Sequence, residues 1–210
     1  MKNMRKGKQK VNKYFFETSI VIALVISALF GAYWFWGSSP KVEQAAPIAP
    51  EPKVEISLPF SGEYKDVENK FTITPPNNWL MKNKNIGSAS VQFINPVADE
   101  DATGKFSANI NVLVEPTSLS VEDYAKASEE TLSKLLSKYK LIDFKKKTFG
   151  GLSGYIVGGT FENNGIALRN RQIFVVSKGN VYIATAISLN SLWNKYVEDF
   201  NASLYGLKVK

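Results

Sequence analysis

Four groups of residues in this chain have the types and spacing that chemistry needs. The first is Asp99-Glu100-Asp101-Ala102-Thr103-Gly104, where Asp99, Asp101, Thr103 and Gly104 fall at the first, third, fifth and sixth positions of a calcium loop. The twelfth position calls for a bidentate Glu and carries Ile110, so an EF-hand is excluded. A looser oxygen-ligand Ca²⁺ site on Asp99, Asp101 and Thr103 stays open beside the plainer reading of a solvated acidic loop. The second group is Gly150, Gly151, Gly154, Gly158 and Gly159, which fits neither G-x-x-x-x-G-K-S/T nor G-x-G-x-x-G and precedes a strand pattern rather than a helix. It reads as a turn followed by a strand that something approaches closely. The third, Ser137-Lys138-Tyr139-Lys140, has the S-x-x-K spacing of a Ser-Lys nucleophile but lacks the S-D-N and K-T-G elements that accompany it. The fourth is basic: Lys138, Lys140, Lys145, Lys146 and Lys147, which Arg169 and Arg171 extend from one face of a later strand. Lysines at a sheet edge discourage aggregation, and the same charges suit anionic lipid headgroups or an acidic partner.

The missing residue types are as informative. The chain has no Cys and no His, which excludes disulfides, thiol nucleophiles, Ser-His-Asp triads and imidazole metal ligands. Twenty-six Lys+Arg against 19 Asp+Glu give a net charge of +7 over 210 residues. Six of those bases (Lys2, Arg5, Lys6, Lys8, Lys10 and Lys13) lie in residues 1–17 with one acid, Glu17. The rest of the chain is close to neutral, so the basicity belongs to a tail and no nucleic-acid partner is expected.

That tail runs into Thr18–Trp36, 19 residues without a charge. At a helical rise of about 1.5 Å per residue this spans roughly 28 Å, the thickness of a bilayer's hydrocarbon core. Tyr14, Phe15 and Phe16 precede it, and Tyr33, Trp34, Phe35 and Trp36 close it, as interfacial aromatic belts do. A cleaved signal peptide fits poorly, because Pro40 would follow the cut and four aromatics crowd its approach. A pilin stem fits poorly too, since Gly37 and Pro40 end the helix. We therefore expect a basic cytoplasmic tail (1–17), a transmembrane helix (18–36) contacting the lipid bilayer, and an extracytoplasmic remainder, oriented by the excess of positive charge on the N-terminal side. Residues 37–59 hold five of the nine prolines and read as an extended linker.

Residues 60–210 have the size of one domain. Phe71–Thr74 and Val91–Ile94 read as short strands, and Lys105–Glu115 as the clearest one. In the latter Phe106, Ala108, Ile110, Val112 and Val114 share a face opposite Ser107, Asn109 and Asn111. A helix begins at Ser120, capped with Asp123 three residues on, and its apolar spacing runs through Leu132, Leu135 and Leu136 to Tyr139. Strands Gly154–Phe161, Ile166–Ser177 and Val181–Ser188 are separated by Asn163-Asn164-Gly165 and Lys178-Gly179-Asn180, which predicts an antiparallel meander. The last strand is apolar on both faces and needs two covers, the second being the amphipathic segment Ser191–Tyr205. The expected fold is α/β (α+β), a central antiparallel sheet between helices in an α/β/α sandwich.

Phe71, Ile73, Pro76 and Trp79 form an opening F-x-I-x-x-P-x-x-W, followed by the strand ending at Asn95-Pro96 and the Leu119-Ser120…Tyr124 helix start. With the glycine-bearing strand, the paired strands Ile173–Val176 and Val181–Ala186, and a closing helix holding Phe200 and Ser203, residues 62–208 resemble the PsbP-like domain. That fold is shared with a eukaryotic Ran-binding import factor. The resemblance implies the same α/β/α sandwich and a non-catalytic binding or accessory role, docking on a membrane protein complex or envelope component. It also implies an alternative, a photosystem II extrinsic subunit or assembly factor tied to calcium and chloride. An envelope hydrolase working through carboxylates or a Ser-Lys pair lacks its motifs.

Overall fold

The computed structural model of the protein describes residues 58–86 and 89–210; the basic tail, the expected transmembrane segment 18–36 and most of the linker lie outside them. Among the described residues no helix is long and apolar enough to cross a membrane.

An eight-stranded antiparallel sheet forms the centre, in the order β1-β4-β5-β8-β12-β11-β10-β9. Its strands are β1 (Leu58–Phe60), β4 (Trp79–Ile86), β5 (Ala89–Ile94), β8 (Asn109–Pro116), β9 (Ser137–Phe149), β10 (Leu152–Asn163), β11 (Ile166–Ser177) and β12 (Asn180–Leu189). A three-stranded sheet joins β2 (Tyr64–Asp66), β3 (Phe71–Ile73) and β13 (Lys208–Val209), and β6 (Asp99–Asp101) pairs with β7 (Gly104–Phe106). Helix α1 spans Val121–Leu135 and α2 spans Trp193–Tyr205.

The meander from β9 to β12 follows from its turns. Gly150-Gly151, Asn164-Gly165 and Lys178-Gly179 each supply two consecutive positive φ angles between paired strands. Such two-residue loops match the twist of the strands they join, which sets the register. All residues of β12 from Val181 to Leu189 are buried. On one side Ile110, Val112, Ile173, Val175 and Ala184 pack with Trp193, Phe200 and Leu204 of α2 and with Phe71 and Ile73 of the small sheet. On the other, Leu113, Val157, Phe174 and Ile183 meet Tyr124 and Ala125 of α1, while Leu168 and Ile187 cluster with Leu132. The sheet is thus covered on both faces, with the small sheet sharing the α2 side.

Four expectations change. The linker ends earlier, because Leu58–Phe60 pairs with β4; Pro59 is tolerated in this edge strand, where a missing N–H breaks no interior ladder. Lys105–Glu115 divides into β7 and β8, and Asn109 and Asn111, on the face opposite Ile110, are 2% and 1% exposed. They belong to a buried polar band on the α1 side in which Gln92, Asn111, Thr185 and Gln172 lie abreast on adjacent strands; Gln172 Nε2 donates to Thr185 Oγ1 at 3.1 Å. The first helix starts as read, with Asp123 N–H donating to Ser120 Oγ at 3.1 Å, although the Asp123 carboxylate accepts from the Ser120 hydroxyl rather than from a backbone N–H. It stops at Leu135 rather than near Tyr139. Leu136 is extended and Lys138 takes φ 52°, which turns the chain into β9. Leu136 and Tyr139 still reach the apolar cluster around Leu132, Leu136 from the bend after the helix and Tyr139 from β9.

Phe200 is fully buried and packs against the rings of Trp79, Trp193 and Tyr196. Phe200→Ala is expected to cost about 3–5 kcal/mol, from lost burial plus the residual cavity. Urea unfolding of the full chain followed by tryptophan fluorescence measures it.

Candidate partner-binding surface

Strand β9 is the outer strand of the sheet, and its alternating residues face opposite sides. Register across β10 to β11 aligns Lys147 with Gly154 and Val175, Lys145 with Ile156 and Ile173, Asp143 with Gly158 and Arg171, and Lys140 with Thr160 and Arg169. All of these share the α2 face, which therefore gathers Lys140, Lys145, Lys147, Arg169 and Arg171 around a single acid, Asp143. The other predicted lysines go elsewhere. Lys146 lies level with Tyr155 on the α1 face, where Tyr155 donates to Glu122 at 2.8 Å, and Lys138 pairs with Glu162 at 2.7 Å.

Helix α2 supplies the wall of this surface. The Trp193 ring centroid lies 4.7 Å from Arg169 Cζ and 5.6 Å from Arg171 Cζ, and Lys147 Nζ stands 3.7 Å above the Tyr205 ring. Arg171 donates to Asn201 Oδ1 at 2.5 Å and to Asp143 Oδ2 at 2.8 Å. The second bond reaches across the whole of β10, at the level of Gly158. A Cβ on Gly158 would stand 3.1 Å from the backbone oxygen of Asn170 and in ordinary contact, at 3.5 Å, with Asp143 Cβ. Lys145 takes the other oxygen of Asp143 at 3.1 Å. Burial pushes the Asp143 carboxyl up, but hydrogen bonds and charge from Arg171 and Lys145 outweigh it and hold the group below its ordinary value. Burial first, then the neighbouring Arg171 charge, lowers Arg169.

The glycines flagged in the sequence do mark close approaches, by the chain's own side chains. A Cβ on Gly154 would stand 2.5 Å from the Phe149 ring, and one on Gly159 2.6 Å from the Tyr139 ring. Ser137 and Lys140 lie three positions apart on the extended β9, about 10 Å of backbone, a spacing that forms no Ser-Lys dyad.

The acidic loop is the β6–β7 hairpin, and it fastens to α2. Asp99 accepts from Lys195 at 2.6 Å and from the Tyr196 hydroxyl at 2.5 Å, and Asn95 Nδ2 donates to that hydroxyl at 2.7 Å. Asp101 accepts from the Ser191 hydroxyl and from Thr103 N–H and O–H at 2.7 and 2.6 Å. The Ser191 and Thr103 bonds hold Asp101 below the ordinary carboxylate value; burial, then donation to Asp99, raises Tyr196. A calcium ion takes six to eight oxygens, roughly, and here it would have to displace Lys195 and three hydroxyl donors. Among the described residues no three acidic side chains gather into a metal site.

Sequence reading missed Asp143, Trp193 as the plate beneath the arginines, and Asn201. The only signal was an acid amid lysines.

A large antiparallel sheet covered by one helix on each face defines a PsbP-type domain. The chain belongs to the PsbP family, whose match spans residues 61–209. Among solved structures it is similar to the cyanobacterial PsbP (CyanoP) of Synechocystis sp. PCC 6803, at 13% identity and a TM-score of 0.55 over 79% of this chain and 100% of that one. It is also similar to LpqN of Mycobacterium tuberculosis, a protein involved in cell envelope biogenesis, at 12% identity and a TM-score of 0.54 over 71% of this chain and 90% of that one. At these identities the likeness is one of fold. No curated protein matches.

Because its folded pKa is depressed, Asp143 contributes stability that is present above the unfolded carboxyl value of about 3.9 and is lost as pH falls through the lower folded value. Asp143→Asn is expected to flatten the fall in melting temperature below about pH 4. Thermal melts of both proteins from pH 7 to pH 2.5 test this.

Proposed function

We propose that the chain is a membrane-anchored, extracytoplasmic PsbP-type binding domain that docks through the α2-side cationic surface onto an acidic face of a membrane protein complex or envelope component. The observation that carries this reading is the collection of Lys140, Lys145, Lys147, Arg169 and Arg171 on one side of the sheet, against Asp143 alone, in a domain whose remaining charge is nearly balanced. Two further facts support it. The uncharged run 18–36 behind six bases has the length and flanks of a single-pass anchor. LpqN, which shares the fold, is involved in cell envelope biogenesis. Docking of this kind works by electrostatic complementarity, so it weakens as salt rises.

In intact cells of the host, external protease is expected to remove residues 60–210 while sparing the basic tail. Protection of that region reverses the orientation. In crosslinked membranes, a tagged full chain is expected to recover a defined complex at low salt. The triple variant Lys140→Glu/Lys145→Glu/Lys147→Glu is expected to recover at least tenfold less. Equal recovery by both proteins removes the cationic surface from docking.

A further inference from the structure

The cationic surface is uneven. Along β9 the lysines are exposed and spread out, whereas Arg169 and Arg171 stand two residues apart on one strand face, about 6.6 Å between Cα atoms, and are partly or wholly buried. Arg171 is 9% exposed, and its Nε–H is buried without a protein partner. Its two terminal nitrogens are held by Asn201 and Asp143, so the guanidinium has a set position. Arg169 has no carboxylate partner among the described residues: both oxygens of Asp143 are already taken, by Arg171 and Lys145. Both guanidiniums lie within reach of the same Trp193 ring. Directly across β10 from Arg169 come the half-exposed Thr160 and then Lys140.

Two cations held this close, with Asp143 already shared by Arg171 and Lys145, leave local positive charge that a dianion with several acceptor oxygens is suited to neutralise. A planar guanidinium such as that of Arg169 meets a tetrahedral oxyanion by paired N–H···O bonds, and a hydroxyl and an ammonium at the rim add single donors. A phosphate presents three strong acceptor oxygens in a tetrahedral arrangement to Arg169, Thr160 and Lys140, against a carboxylate's two in one plane. We infer that Arg169, with Thr160, Lys140 and the plate of Trp193 and Arg171 behind it, forms a binding site for a phosphate group. The inference rests on the reading of this face as the docking surface and names the chemical group it takes there. A phosphate monoester of a lipid headgroup and free phosphate share that chemistry.

The test uses the full chain in nanodiscs of phosphatidylcholine. Inorganic phosphate, titrated at constant ionic strength against chloride, is expected to bind saturably and to change tryptophan fluorescence through Trp193. Arg169→Gln is expected to weaken binding at least tenfold, with Arg169→Lys recovering part of it. Lys140→Gln gives a second, smaller loss at a fully surface position. Phosphate no tighter than chloride, or an Arg169→Gln protein with unchanged affinity and melting temperature, overturns the site. Nanodiscs containing phosphatidic acid separate the sources. Competition of that lipid with inorganic phosphate supports a headgroup ligand, and phosphate binding indifferent to it supports a free one. Phosphate binding that persists when the crosslinking above fails supports this site and sinks the docking reading; capture retained without phosphate selectivity sinks this site alone.

Discussion

Strand β12 sits in the middle of the eight-stranded sheet, and from Val181 to Leu189 it presents no residue to solvent. A strand buried on both faces needs a layer on each, because apolar area left wet on either side forfeits roughly 25 cal/mol per Å². Two helices and a small second sheet supply those layers. The α2 side is built from aromatics, with Trp79, Trp193, Tyr196 and Phe200 in edge and tilted contacts. The α1 side holds two apolar clusters and the polar band of Gln172, Thr185, Asn111 and Gln92.

Charge is therefore driven outward, to the margins. Strand β9 closes one edge of the sheet, and its lysines keep its unpaired backbone from recruiting another strand. The lysines on its α2 face are exposed, whereas β8 and β12 pack into the core. Arg169 and Arg171 lie at the border between packed and wet surface, and that position explains why one is buried with paired nitrogens and the other is half-buried with no acid of its own. Gly158 belongs to the same border. It pairs with Asp143 on one side and Arg171 on the other, so the ion pair crosses the sheet at its level.

The β6–β7 hairpin has a related task at the start of α2. Asp99 and Asp101 look like ligands in the sequence, but their oxygens receive donors from Lys195, Tyr196 and Ser191, so the hairpin and the start of the helix are held together. An acidic loop beside a helix start is a metal candidate only while its carboxylates are uncommitted, and the donors that commit them arrive from about ninety residues away, as in the pairing of Ser191 with Asp101.

Much of the fold is local and could be read from the residues. Asn164-Gly165 and Lys178-Gly179 dictate tight turns, Ser120 dictates a helix start, and the two-sided apolar pattern of β12 demands two covers. These features depend on neighbours within a few positions. What the tertiary structure alone decided depends on neighbours far along the chain. The end of α1 is one case, since Tyr139 keeps helical spacing yet packs from a strand once β9 pairs with β10. Asn109 and Asn111 are another, reading as a polar face and ending up buried. The basic cluster is the third. Five lysines adjacent in sequence were dispersed by alternation and pairing, while Asp143, Arg171 and Asn201 were brought together by registry across β10 and the placement of α2. Residue type determined that this surface would be cationic; only register, which turns a shift of one residue into a change of face, decided which charges share it.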